Sequence, residues 1–182
     1  MKKIPTIFER DWNGDKSRVL PVPTAAHALL AGAVATRKYD GTSCLVRDGK
    51  LYKRYDAKQG KTPPEGFEPC GEVDPETGHW PGWLPVTDAP EDKHHRKAFE
   101  GHEPNGTYEL CGPKIQNNHE GFQNVTLVPH GKLVIENVPT DFDGLKAFFE
   151  RDKGYEGIVW WKDGAPVGKI KRRDFGFPWP PK

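Results

Sequence analysis

The sequence predicts an α+β protein whose sheets are largely antiparallel, and three observations carry that prediction. Short apolar or alternating runs are joined by tight turns at Asp48-Gly49 and Asp163-Gly164, a strong hairpin signal. Helical periodicity is confined to a few brief stretches lying between strands, which argues against a regular βαβ array. The 182 residues include 20 glycines and 18 prolines, so much of the chain belongs to turns and ordered loops.

Taken in order, residues 4–8 read as a short edge strand, because Pro5 cannot donate to a central ladder. Thr24 is placed to cap a short helix over residues 25–30 that Gly32 closes. Residues 33–38 read as a strand ending at Lys38, with Gly41 loosening the backbone beyond it. Cys44–Val46 and Leu51–Tyr55 flank Asp48-Gly49 as a hairpin. Residues 60–90 show little periodicity and read as a long ordered insertion, pinned by Trp80 and Trp83 against a core edge. Thr87 or Asp88 would cap a polar helix through His94, His95, Lys97 and Phe99. Residues 106–111 alternate as a strand with Glu109 inside it. Val125–Val128 and Leu133–Glu136 read as a strand pair turning through Pro129-His130-Gly131. Thr140 or Asp141 would cap a helix that turns Leu145, Phe148 and Phe149 to one face. Residues 155–161 read as a buried strand, returning through Asp163-Gly164 into residues 167–171.

Composition narrows the classes of function. Six Trp, nine Phe and five Tyr supply buried area for a sizeable core. No stretch approaches the apolar length that crosses a bilayer, and no apolar run follows the Met-Lys-Lys start, so neither a membrane partner nor a signal peptide is expected. Cys44, Cys70 and Cys111 are odd in number and lack a Cys-x-x-Cys pair, which suits reduced thiols and a cytoplasmic location. A net charge of +1 is uninformative by itself. Its distribution says more: basic residues gather at 50–61 and again at 169–173, as a phosphate-bearing ligand would require.

The polar residues that stand out are Lys38 and Asp40, Arg54, Glu109, Glu156, and Lys169 with Lys171. Lys-x-Asp-Gly alone is common in surface turns. Lys169-Ile170-Lys171, however, alternates, so on a strand both lysines face one way and Ile170 the other. Two lysines side by side repel unless an anion lies between them. Carboxylates for a hard divalent cation, with lysines and an arginine for phosphates, would together suit a nucleoside triphosphate.

In this order the motifs resemble the covalent nucleotidyltransferase superfamily, which comprises polynucleotide ligases and mRNA-capping guanylyltransferases. Lys38-Tyr39-Asp40-Gly41-Thr42 is similar to motif I, Arg54 to motif Ia, and Tyr108-Glu109-Leu110 to motif III. Glu156-Gly157-Ile158-Val159 is similar to motif IV and Lys169-Ile170-Lys171 to motif V. Gly112–Asn118 and Pro129-His130-Gly131 resemble a branch of small RNA ligases. The resemblance implies two largely antiparallel sheets flanked by a few helices, a nucleotidyltransferase (ATP-grasp-like) domain. It also implies a single such domain over residues 1–182, because after Lys171 too little chain remains for an oligonucleotide-binding-fold domain.

What the resemblance further implies is an ATP-dependent RNA ligase joining 5′-phosphate and 3′-hydroxyl ends. Lys38 would be the nucleophile that carries AMP, with Lys169 and Lys171 as catalytic partners. Thr36, Arg37, Asp40, Gly41, Arg54, Glu109, Glu156 and Ile158 would bind the nucleotide. Asp40, Glu109 and Glu156 would hold Mg2+ or Mn2+. Phe122, His130 and Leu133 are alternatives for the residue stacking on the base. RNA ends are the implied partners of a monomer, with an RNA-repair protein as a further one. Two other readings stand beside this one: an RNA-capping guanylyltransferase, and a nucleic-acid-binding module with a decayed nucleotide site.

Overall fold

The computed structural model describes residues 2–75 and 77–182, and the chain packs as two compact units. One comprises the residues up to Lys3 together with Asp40–His130, the other Ile4–Tyr39 with Gly131–Lys182. The boundary falls inside the Lys-x-Asp-Gly motif, after Tyr39. Among the described residues the strands form three sheets, where the resemblance implies two, and their ladders are antiparallel, with few helices, as an α+β reading requires.

In the unit that contains Lys38, β1 (Phe8–Arg10) and β2 (Val19–Pro23) form a two-stranded ribbon. The strand expected over residues 4–8 is thus displaced: Thr6 makes only a parallel bridge to Lys169, and the ladder starts at Phe8. Thr24 does not cap a helix. Its hydroxyl donates to the Thr6 carbonyl at 2.8 Å, and the segment tightens into a single 3₁₀ turn, His27–Leu30. The main sheet of this unit has the order β11-β10-β3 (Ala165–Lys171, Gly157–Lys162 and Val34–Lys38). The connecting turn is driven by left-handed residues, Asp163 at φ 51° and Gly164 at φ 77°, the pair of positive φ values that a two-residue hairpin demands.

Helix α2 (Phe142–Arg151) starts where Asp141 accepts from the Gly144 N–H at 2.8 Å, so the cap is the aspartate. Its apolar stripe buries Leu145, Phe148 and Phe149 against Ile7, Phe8, Ile158, Trp160 and Ile170. Residues 133–136 do not pair as a hairpin arm. The Leu133 carbonyl accepts from the Arg37 N–H and the Ile135 N–H donates to the Ala35 carbonyl, each at 2.9 Å. Those bonds line the segment along β3, where only Thr36 and Val134 form a bridge. After Lys171 a 3₁₀ turn over Arg172–Phe175 folds the tail onto the core. Arg172 is buried, and its guanidinium donates to the carbonyls of Pro178 at 2.8 Å and Asp152 at 3.2 Å.

The other unit is a six-stranded sheet in the order β6-β7-β5-β4-β8-β9: Glu68–Pro69, His79–Pro85, Lys50–Lys58, Thr42–Arg47, Gly106–Cys111 and Thr126–Pro129. Its core gathers Cys44, Val46, Leu51, Tyr108, Leu110 and Leu127. The β4–β5 hairpin turns at Asp48-Gly49 as expected, whereas residues 60–90 are not merely a loop. β7 pairs with β5 along its whole length, and Trp83 on it is buried. Helix α1 (Lys93–Ala98) follows a 3₁₀ turn over Pro90–Asp92 and starts later than expected. Here the aspartate is the acceptor: the Thr87 N–H and hydroxyl donate to Asp92 at 2.8 and 3.0 Å, and Lys53 closes an ion pair with the same buried carboxylate.

Candidate active site

Strand register builds the lysine cluster. On β10, Gly157 stands opposite Lys38 of β3 on one side and Lys171 of β11 on the other, while Val159 stands opposite Thr36 and Lys169. Cross-strand partners share a face, so Thr36, Lys38, Lys169 and Lys171 all project from one side of the three-stranded sheet. At the centre of that row is a residue with no side chain. A Cβ at Gly157 would lie 2.5 Å from the Ile170 carbonyl oxygen and 3.2 Å from Lys171 Cγ. Glycine here lets β11 approach closely and leaves the space between Lys38 and Lys171 open.

Glu156 completes the cluster. It is 6% exposed, and its Oε2 lies 2.7 Å from Lys38 Nζ. The Arg172 N–H donates to the Glu156 carbonyl at 3.0 Å and fixes the main chain just before β10. Lys169 feels both its burial and its neighbours. Desolvation, followed by the charges of Lys38 and Lys171, pulls its ammonium down to about 8, against the opposing pull of Glu156 and Asp174. A lysine whose charge is this poorly solvated gains strongly when an anion arrives.

The remaining motif residues of this unit are placed differently. The Thr36 hydroxyl is buried and donates to the Val159 carbonyl at 2.9 Å. Arg37 alternates to the opposite face, with its guanidinium 4.7 Å from the Tyr39 ring centroid and 5.6 Å from that of Tyr155. Ile158 also faces away from the lysines and is 0% exposed in the core. Arg37 and Ile158 therefore do not present side chains to the lysine face.

The second group of motif residues lies in the six-stranded unit. Ser43 of β4 pairs with Glu109 of β8. The β4–β5 ladder ends at the Cys44–Lys53 pair, and Arg54, next along β5, alternates to the face opposite Lys53. Arg54 and Glu109 thus share the face turned away from Cys44 and Tyr108, which belong to the core. Arg54 donates to Asp56 at 2.9 Å and lies 5.6 Å from the Trp83 ring centroid. Gly41 is needed for close approach, because a Cβ there would sit 2.3 Å from the Leu110 carbonyl oxygen and 2.8 Å from Glu109 Cγ. Its N–H donates to Glu109 Oε1 at 3.1 Å.

Two histidines that motif reasoning did not assign as carboxylate partners hold these acids. His119 Nδ1 lies 2.8 Å from Asp40 Oδ2, and His130 Nε2 lies 2.7 Å from Glu109 Oε2. Glu120 adds a third contact, accepting from the Asp40 N–H at 2.7 Å. His130, a candidate for base stacking, holds Glu109 through its Nε2 edge, a contact that leaves the ring face out of the bond. Asp40 and His119 are 79 positions apart, and no local spacing rule connects them. Asp40, Glu109 and Glu156 offer hard oxygen donors, the chemistry that magnesium or manganese selects. Among the described residues, no three histidine, cysteine or carboxylate side chains are gathered as ready metal ligands.

Comparison with known proteins points the same way as the motifs. Residues 102–182 match the family model described as RNA ligase 1, a span that includes Glu109, His119, His130, Glu156, Lys169 and Lys171. RNA ligase 1 of Mus musculus is 26% identical over a 266-residue alignment, covering 98% of this chain and 81% of that protein. The Rattus norvegicus protein of the same name is 26% identical over 271 residues, with 98% and 82% covered. That of Danio rerio is 26% identical over 239 residues, with 87% and 72% covered. The family model and these relatives together support reading the chain as an RNA ligase domain of the nucleotidyltransferase type.

Proposed function

We propose that the protein is an ATP-dependent RNA ligase that carries AMP on Lys38. The observation that carries this reading is the lysine face: Lys38, Lys169 and Lys171 around a side-chain-free Gly157, with buried Glu156 against Lys38. Three ammonium groups gathered on one side of a small sheet are the charge pattern that a polyphosphate matches.

The first step forms a bond between Lys38 Nζ and the α-phosphorus of ATP and breaks the bond to the pyrophosphate oxygen; the amine gives up a proton. That amine attacks only when neutral. Lys169 and Lys171 would oppose the charge that builds on the α-phosphate. Glu156 orients the amine through its ion pair. Asp40 and Glu109, both in the six-stranded unit, would hold Mg2+ or Mn2+, which when bound supplies positive charge beside the phosphates. His119 and His130 fix the rotamers of these two carboxylates. AMP then passes to an RNA 5′-phosphate, for which Arg54 is the planar, always-charged group available, and a 3′-hydroxyl displaces AMP to seal the strand.

Incubation with α-labelled ATP tests this. The wild type should become covalently labelled and Lys38→Ala should not. Label on the Lys38→Ala protein would refute the assignment, and label from GTP rather than ATP would favour a capping enzyme.

A further inference from the structure

A second basic site lies in the six-stranded unit. Lys93, His94 and Lys97 of α1, Pro113 and Lys114 of the segment after β8, and Gln123, Asn124 and Val125 before β9 line an open cleft of about 240 Å3. Among the described residues, no carboxylate lines it. The one buried acid next to α1, Asp92, is committed to Lys53 and Thr87.

The wall that carries Lys114 is held in an unfavourable backbone. Lys114, Gln116, Asn117 and Asn118 have φ of 72°, 43°, 57° and 52°, left-handed values that cost a lysine or glutamine about 1 kcal/mol or more each. The segment is pinned in that shape. Asn118 exchanges bonds with Phe122 (side-chain N–H to carbonyl and main-chain N–H to Oδ1, each 3.0 Å), and the Ile115 N–H donates to the Gly112 carbonyl at 3.0 Å. Gly112, at φ 134°, lets the segment press against the residues just before β9, since a Cβ would lie 2.6 Å from both the Asn124 carbonyl oxygen and Val125 Cα. The bonds that hold this segment place Lys114 at the cleft beside Lys93 and Lys97.

We propose that this cleft binds the phosphodiester backbone of a single-stranded RNA segment, an inference that rests on the ligase reading above. Three flexible point charges with no guanidinium fork suit repeated, partly hydrated phosphates better than one fixed phosphate group. The cleft is smaller than the roughly 300–1,000 Å3 that encloses a whole small ligand, so it grips a strand in passing. The amides of Gln123 and Asn124 can pair with sugar hydroxyls, including the 2′-OH that marks RNA.

The test uses the full chain, a Lys93→Gln/Lys97→Gln/Lys114→Gln variant, and a Lys→Arg triple at the same positions. The probe is a fluorescent single-stranded oligoribonucleotide with 5′- and 3′-hydroxyl ends, titrated by anisotropy between about 50 and 200 mM KCl. Three lost cations should reduce the slope of log affinity against log salt by about 2, so that over this range the wild type loses roughly twentyfold more affinity than the glutamine variant. The arginine triple should keep the wild-type slope. An unchanged slope in the glutamine variant overturns the proposal, as does displacement of the probe by inorganic phosphate or polyglutamate at concentrations where unlabelled RNA fails to displace it. AMP transfer to the wild-type protein, read in parallel, separates the two claims. Transfer with an unchanged slope overturns the cleft and leaves the ligase; a reduced slope without transfer supports the cleft and overturns the ligase.

Discussion

Replacing Lys169 by methionine should make the protein more stable while removing its activity. Lys169 lies between Gly168 and Ile170, both buried, on the same face as two other lysines. Its burial, then Lys38 and Lys171, bring its titration from the ordinary 10.5 down to about 8. That displacement corresponds to about 3 kcal/mol of penalty on the charged form. The penalty is present in full below pH 8. Between pH 8 and 10.5 the folded protein releases the proton while the unfolded chain still holds it, so the wild type gains stability as pH rises through this window. Methionine keeps a straight stem and fills the same space without the charge. At pH 7, Lys169→Met should therefore gain up to about 3 kcal/mol in urea unfolding followed by the fluorescence of buried Trp160, or several degrees in Tm. At pH 10.5 most of that gain should be gone, and label transfer from ATP should fall by about a hundredfold or more at any pH. A variant no more stable than wild type at pH 7, or with a gain independent of pH, would refute the reasoning.

Other positions give sharp outcomes. Gly41→Ala forces a Cβ to within 2.3 Å of the Leu110 carbonyl oxygen and should cost about 1–3 kcal/mol in denaturant melts, with loss of AMP transfer as Glu109 is displaced. Burial alone would raise the Asp92 carboxyl, but Lys53 and the two Thr87 donors hold it below its usual range. Its contribution to stability is present above the ordinary carboxylate range and lost as pH falls through the depressed value. Asp92→Asn should thus be less stable at neutral pH, by on the order of 3 kcal/mol, with a flatter acid limb. His119→Ala and His130→Ala should each raise the Mg2+ or Mn2+ concentration for half-maximal AMP transfer by about 10- to 100-fold; an unchanged metal requirement would remove both histidines from the carboxylate machinery.

Local chemistry made the hairpins and the lysine face readable in the sequence. Asp-Gly turns need two left-handed residues and supply them, and Lys-Ile-Lys alternation separates core from site without any tertiary knowledge. β7 was hidden because His-Trp-Pro-Gly-Trp-Leu-Pro carries two prolines and a glycine. Those are tolerated because, beyond the Gly82 and Trp83 pairs with β6, the outer edge supplies carbonyl acceptors, Pro81 to the Cys70 N–H and His79 to the Asp74 N–H, a role that proline keeps. A Cβ on Gly82 would meet the Phe67 ring at 2.3 Å, so the glycine marks packing rather than a loop. Leu133–Glu136 carried a strand pattern, but nothing local says which neighbour its N–H groups will find. The roles of His119 and His130 were invisible for the same reason: their partners are brought to them by the sheet. Gly157 is one letter of a motif in the sequence, and the register makes it the gap between Lys38 and Lys171.

The central claim is that Lys38 forms a bond to phosphorus, and peptide mapping measures that most directly. The protein is incubated with ATP and a divalent metal, digested under non-acidic conditions, and its peptides are sequenced by mass spectrometry. The account predicts AMP on Lys38, lost on acid treatment as a phosphoramide bond requires. AMP on any other residue, or an intact protein without adduct at every metal and nucleotide tested, would contradict it.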